Sequence, residues 1–455
     1  MKNDFSYRGF MLDVSRHYMP VEEIRKLIKA ASLCGMNRMH WHLTDDQGWR
    51  IEIKKYPKLT EIGSVRGRSY FGDVSETENN SGFYTQDEVR ELIDYAGAHG
   101  IEIIPEIEVP GHASAMLAAY PQYGCRRTVI RSGKRQEIAD PYTYHVMTTG
   151  GIFPNLICAG KDEAVRFLED ILDEIAELFP ASAIHIGGDE ALKQHWRRCP
   201  DCQQRIRDEG LADENELQRW LVLKLGEHLK QKGRKTIVWN DSLAGGMLPE
   251  HFIVQHWMGN DKETAEFIKA GGKVICSDIE HYYFDYPYSS IDAYHIWNTP
   301  VIPPYAEEHP DGILGIECPL WTERVTDADR AAYLLFPRMA AVALKITEGG
   351  KERFPTWESF CEMLQSIQKQ ITELGLIGAP ESEWKMSPED VGADRLAEER
   401  RRQSPGADKA VRTEKQLLLQ EELEKLLQKF DMPKEHALQI MDYTWKALPE
   451  YNGTD

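Results

Sequence analysis

Most of the features that would assign a role to this chain at a glance are missing from it. No run of about 18 apolar residues occurs, so nothing reads as a membrane-spanning helix. The opening residues, MKNDFSYRGFMLDV, contain no long apolar core of a secretory signal, and the expectation that follows is a cytoplasmic protein. Basic residues are few: 54 Lys and Arg stand against 74 Asp and Glu, a formal net charge of -20. Nucleic acids and anionic membrane surfaces are both held by clustered cations, so neither is an expected partner. A neutral, polar small molecule fits this balance better.

Cysteine is also sparse. Eight in 455 residues do not make a disulfide framework. Cys34, Cys276 and Cys318 lie in or beside apolar stretches and read as small buried hydrophobes. Cys199 and Cys202 form the one C-x-x-C, in RRCPDCQQ. With no second pair, a local structural role is the better reading of it than a bound metal. No glycine-rich phosphate loop follows the first strand, and no repeat of the solenoid kind is present. The sequence therefore predicts no cofactor and no metal.

What is present is a regular alternation. Short apolar stretches rich in β-branched residues occur at 9–14, 37–43, 101–109, 183–188, 235–241, 252–257, 273–278 and 312–318. Their composition suits strands buried on both faces. Between them, 21–35, 88–100, 163–179, 215–233 and 331–347 carry apolar residues at helical spacing. Eight strands each followed by a helix or long loop predict an α/β fold, a (β/α)8 TIM barrel over residues 1–350. A doubly wound open sheet is the competitor, disfavoured by the missing phosphate loop. The remainder, 351–455, reads as a C-terminal helical region with a charged linker near 380–412 (EERRRQSPGADK at its centre). Its helical periodicity over 413–448 suggests an appendage or a contact between copies of the chain, and so a homo-oligomer.

In such a barrel the chemistry sits at the C-terminal ends of the strands. Here those ends supply Arg16, Asp45, His112, Asp189, Glu190, Trp239, Trp257, Tyr283, Asp285, Trp321 and Glu323. Three Trp at the ends of three different strands, together with carboxylates, describe a mouth suited to a neutral carbohydrate. Indole faces stack on the C–H faces of pyranose rings, and carboxylates accept from hydroxyls. The stretch HIGGDE (185–190) poses the sharpest question, because it sets Asp189 beside Glu190 at the end of an apolar strand. A usual glycosidase pair flanks the scissile bond from two sides, roughly 5–5.5 or about 6.5–9.5 Å apart. Neighbours on one backbone cannot easily do that. A division of labour is more plausible: one carboxylic acid protonates the leaving oxygen while the other holds a part of the substrate that itself attacks. Helix capping is the plain structural alternative, and the two glycines, which would leave room for a ligand, count against it.

At this point the chain resembles glycoside hydrolase family 20, the exo-β-N-acetylhexosaminidases. The resemblance runs in order through LDVSRH, WHLTDDQGW, PEIEVPGH, HIGGDE, VWND, QHW, YFDY and LWTE, over about residues 8–350. It implies removal of terminal β-linked GlcNAc or GalNAc with retention, the substrate's own acetamido oxygen attacking the anomeric carbon. Under it Glu190 is the general acid/base, Asp189 holds the acetamido N–H, and Tyr283 bonds the acetamido carbonyl. Trp239, Trp257 and Trp321 form the aromatic wall. Arg16 and Glu323 grip hydroxyls at the non-reducing end, Asp285 contacts the remaining hydroxyl, and Asp45 with His112 supports the acid. One departure is Glu108, where the family often has Asp. Two rivals stand outside the resemblance. His40 and His42 imitate the His-x-His of metal-dependent barrel hydrolases, although the set of ligands is incomplete. A silent sugar-binding barrel would be expected to lack the acid.

Overall fold

The structure, a computed structural model, describes residues 5–389 and 391, except 68, 72–73, 76–79, 126–127, 132–133, 138–143 and 348–349. Eight parallel strands close into a barrel: β1 (Tyr7–Asp13), β2 (Arg38–His42), β3 (Glu102–Glu106), β4 (Ala183–His185), β5 (Lys235–Trp239), β6 (Phe252–His256), β7 (Lys273–Cys276) and β8 (Ile313–Leu320). Each pairs with the next in sequence, and β8 returns to β1, with Tyr7 opposite Gly315 and Leu12 opposite Leu320. The longer helices are α1 (Val21–Cys34), α2 (Gln86–Ala98), α3 (Asp162–Leu178), α4 (Pro200–Asp208), α5 (Glu214–Gln231), α6 (Asp261–Lys269), α7 (Ala293–Asn298), α8 (Ala328–Leu335), α9 (Arg338–Ile346) and α10 (Trp357–Glu373).

Local chemistry sets their ends. Gly35 closes α1 in the left-handed region at φ 96° and returns its N–H to Ala31 and Ser32, as C-terminal glycines do. Thr85 and Glu88 form a reciprocal capping box at the start of α2. That box starts α2 two residues before the periodicity alone suggests. One expectation is corrected: the helix foreseen over 331–347 is two helices, α8 and α9, parted at Phe336–Pro337. Proline lacks the N–H for the helical ladder and disfavours helix in the residue before it.

The barrel interior is layered. Tyr7, Ile104, Ala183, Ile237, Ile253 and Ile275 fill the lower part as one apolar plug. Above it lies a buried polar layer, where Glu317 takes His40 Nδ1 at 2.8 Å and Gln255 Nε2 at 2.6 Å. Glu106 in the same layer faces His40, His42 and His185. Outside the strands, α10 lies against α1 and α9. The segment after it is tied back by Ala379 N–H to Phe336 O (2.8 Å) and Met386 N–H to Asp292 (2.8 Å). The periodic stretch 413–448 and most of the charged linker lie outside the described residues. No described helix is long and apolar enough to cross a membrane.

Candidate active site

Beyond β4 the chain leaves the barrel through Gly187 (φ 67°) and Gly188 (φ 104°). Both need the left-handed freedom of glycine. Both also lack space for a side chain: a Cβ on Gly187 would run into the Glu108 carboxylate, and one on Gly188 into the Ser242 hydroxyl. The room that the sequence suggested for a ligand is thus occupied by the protein itself. The effect is to seat Asp189 and Glu190 directly on the barrel mouth.

Glu190 has φ 46° and His112 φ 48°, two of the three described non-glycine residues in that uncommon region. The turn at Glu190 brings neighbouring side chains, which a strand would send to opposite faces, onto a single imidazole. His112 Nε2 lies 3.5 Å from Asp189 Oδ2 and 3.6 Å from Glu190 Oε2. Asp189 Oδ1 is buried and has no partner among the described residues.

The other side of His112 is braced by the hairpin Thr44–Asp45/Gly48–Trp49. Asp45 Oδ1 accepts from His112 Nδ1 at 3.0 Å; its Oδ2 meets His42 Nε2 at 2.9 Å and Arg16 Nη2 at 2.8 Å. Arg16 also donates to Gln47 (2.8 Å) and Asp13 (3.2 Å), stands 3.4 Å from Glu323, and lies 5.1 Å over the Trp321 ring. Burial opposes the charge of Asp45, yet Arg16 and His112 hold its carboxyl well below the usual range. Burial likewise opposes a cationic His112, and Asp45 with Asp189 outweighs it, so the ring stays protonated at neutral pH.

Glu190 has the opposite balance. Burial raises its pKa to about 7, with Asp189 and Asp241 adding to the rise and His112 working against it. It is therefore an acid that still holds its proton near neutrality. Asp285 is also raised to about 7, by burial and then by Glu323. Beside Asp189, burial pushes Glu108 well above the usual carboxylate range; neither of its oxygens has a hydrogen-bond partner among the described residues, and His42 Nδ1 lies 4.0 Å from Oε1.

The aromatic residues form one connected wall. Trp257 stacks on Tyr283 with centroids 6.1 Å apart, Tyr283 lies 6.4 Å from Trp321, and Trp321 lies 6.1 Å from Trp239. Trp239 is fixed from below by its Nε1–H, which donates to Glu106 at 2.9 Å. Trp257 is fixed by donating to Asp241 at 2.8 Å.

The structure thus joins Glu323, Arg16, Asp45, His112, Asp189 and Glu190 in one polar chain, and Trp239, Trp257, Tyr283 and Trp321 in one wall. Asp285 joins them through the field of Glu323. Sequence reasoning passed over Asp241, which also accepts the Glu190 N–H at 3.4 Å. Its place two residues after Trp239, in VWND, was the signal. Gln47 and Glu106 lie inside WHLTDDQGW and PEIEVPGH, but their roles depend on partners distant in sequence. His40 and His42, the metal-site imitation, direct both ring nitrogens at Glu106, Glu317 and Asp45. They serve as props of the site's floor.

Comparison with known proteins places these features in a family. Residues 5–346 match the family described as "Glycosyl hydrolase family 20, catalytic domain". A beta-hexosaminidase of Porphyromonas gingivalis is 39% identical over 387 residues, covering 82% of this chain and 46% of that protein. One of Vibrio furnissii is 34% identical, covering 74% of this chain and 56% of that protein. The chain thus spans about half the length of these curated relatives. Among solved structures, beta-N-acetylhexosaminidase from Bacteroides fragilis superposes with a TM-score of 0.71 at 34% identity, covering 84% of this chain and 75% of that one. An exo beta-N-acetylglucosaminidase of Vibrio harveyi in complex with N-acetylglucosamine gives 0.69 at 28% identity, covering 84% and 60%.

Proposed function

The chain belongs to glycosyl hydrolase family 20 through its catalytic domain, and on that premise we propose that it removes terminal, non-reducing β-linked N-acetylhexosamine by a retaining, substrate-assisted reaction. The observation that carries this reading is the pairing at His112. Asp189 and Glu190 lie on the same side of the site, both within 3.6 Å of one imidazole nitrogen. Two carboxylates so placed cannot flank a glycosidic bond as nucleophile and acid.

The residues divide the work instead. Glu190, protonated near neutrality, gives its proton to the leaving oxygen. Asp189 accepts the acetamido N–H on its unpartnered Oδ1 and balances the positive charge that develops as the acetamido oxygen closes on the anomeric carbon. Tyr283 donates to that carbonyl and keeps it aimed, and the indole wall confines the acetamido methyl and the ring. The attack is intramolecular, so its advantage is proximity, with effective molarities of up to about 10⁵–10⁸ M. Glu190, now a carboxylate, then takes a proton from the water that opens the ring. Arg16 with Glu323, and Asp285, hold the remaining hydroxyls.

Paired nitrophenyl β-glycosides of GlcNAc, GalNAc and glucose test this. Turnover of at least one N-acetyl substrate and none of the glucoside is expected. A glucoside rate comparable to the others, or a covalent bond trapped between the sugar and a protein atom, would overturn the reading. Inhibition by a thiazoline analogue of the cyclic intermediate is the positive counterpart.

A further inference from the structure

Four cysteines, none of them among the site residues, meet in one cluster. Cys199 and Cys202, the C-x-x-C at the start of α4, are joined by Cys125 and Cys158 from two other segments. All four are buried and none is in a disulfide. Their sulfurs lie within 4.8 Å of one another. The separations are 3.8 Å for Cys125–Cys202, 3.7 Å for Cys158–Cys199 and 3.6 Å for Cys158–Cys202. A disulfide needs about 2.05 Å. An ion bonded to four sulfurs at about 2.3 Å in tetrahedral geometry sets them about 3.8 Å apart. Iron–sulfur clusters would hold the sulfurs farther apart than this.

We propose that Cys125, Cys158, Cys199 and Cys202 bind one structural Zn²⁺ as four thiolates. The surroundings are built for it. Gly160, two residues after Cys158, packs against the backbone of Asp201 and Cys202, where any Cβ would collide. Lys161 Nζ donates to the carbonyls of Gln122 (2.7 Å) and Gly124 (2.8 Å), placing a cation near a site of net negative charge. Binding releases the four thiol protons to solvent, and no oxidation state changes.

Such an ion would staple three segments that already meet through Gly160, Lys161 and Trp196. One of them is the loop that follows Glu190. Trp196 in that loop donates to Ile157 O at 2.9 Å, and Ile157 N–H donates to Pro110 O at 3.0 Å, two residues before His112. The sequence missed the site because Cys125 lies 33 residues before Cys158, and Cys158 lies 41 residues before Cys199, with no motif between them.

The test is elemental analysis of the full chain, produced without added metal and passed over a chelating resin. One zinc per chain is expected, with X-ray absorption showing only sulfur neighbours at about 2.3 Å. A mercurial that titrates thiols should release that zinc and lower the melting temperature by more than about 5 °C. Cys125→Ser with Cys202→Ser should lose the zinc; because this variant can fail to fold, the measurement on the unaltered chain decides. Zinc below about a tenth of an equivalent, iron in its place, or disulfides among these cysteines would overturn the proposal.

Discussion

His112 donates from Nδ1 to Asp45 at 3.0 Å, and that single bond decides what the opposite edge of the ring can do. With Asp45 fixed by Arg16 and His42, the imidazole is held cationic and presents Nε2 to Asp189 and Glu190 together. Burial, with Asp189 and Asp241, raises the pKa of Glu190, and the His112 cation works against that rise.

The alkaline limb of the rate profile should report this balance. For kcat/KM on N-acetyl substrates, activity is expected to fall as pH rises past about 7, where Glu190 loses its proton. Asp189→Asn removes the raising neighbour and should move the limb to lower pH, with kcat down by roughly 10²–10³. His112→Gln removes the lowering neighbour and should move it to higher pH. A limb unmoved in both variants would show that Glu190 is not the titrating acid.

Glu190→Gln keeps the shape of the side chain and removes its proton. Loss of about 10²–10⁴ in kcat is expected on substrates with poor leaving groups. The loss should be far smaller with dinitrophenyl leaving groups, which need no acid. An unchanged melting curve separates chemistry from folding.

Gly187→Ala should be destabilising out of proportion to one methyl group. The new Cβ meets the Glu108 carboxylate, in a backbone conformation that alanine adopts reluctantly. A cost of about 1–3 kcal/mol in denaturant unfolding is expected, with activity reduced because Asp189 and Glu190 shift. Gly97→Ala, where a Cβ meets nothing, is the control.

His40 and His42 link stability to pH. Burial opposes their charge, but Glu317 and Glu106 for His40, and Glu106 and Asp45 for His42, raise their pKa to about 9 and about 10, above the ordinary 6.5. Stability from a raised pKa is complete below the unfolded value and is lost as pH climbs toward the folded one. Unfolding free energy should therefore decline between about pH 6.5 and pH 9–10, by up to about 1.4 kcal/mol per pH unit for each ring. Flat stability across that window would contradict the buried ion-pair floor.

The sequence alone determined much of this protein. Strand and helix periodicity gave the eight-fold alternation, because burial on both faces demands continuous apolar strands. The candidate site residues could be named because barrel chemistry gathers at strand ends and because short motifs keep their residues together. What only the tertiary structure decided depends on partners far apart in the chain. The glycines of HIGGDE serve Glu108 and Ser242 rather than a ligand. Asp241 supports both Trp257 and the acid. Four cysteines from three segments converge to within 4.8 Å. Periodicity and motifs report a residue's own neighbours, whereas the charge state of Glu190 and the meeting of those thiols follow from distances that only closure of the barrel sets.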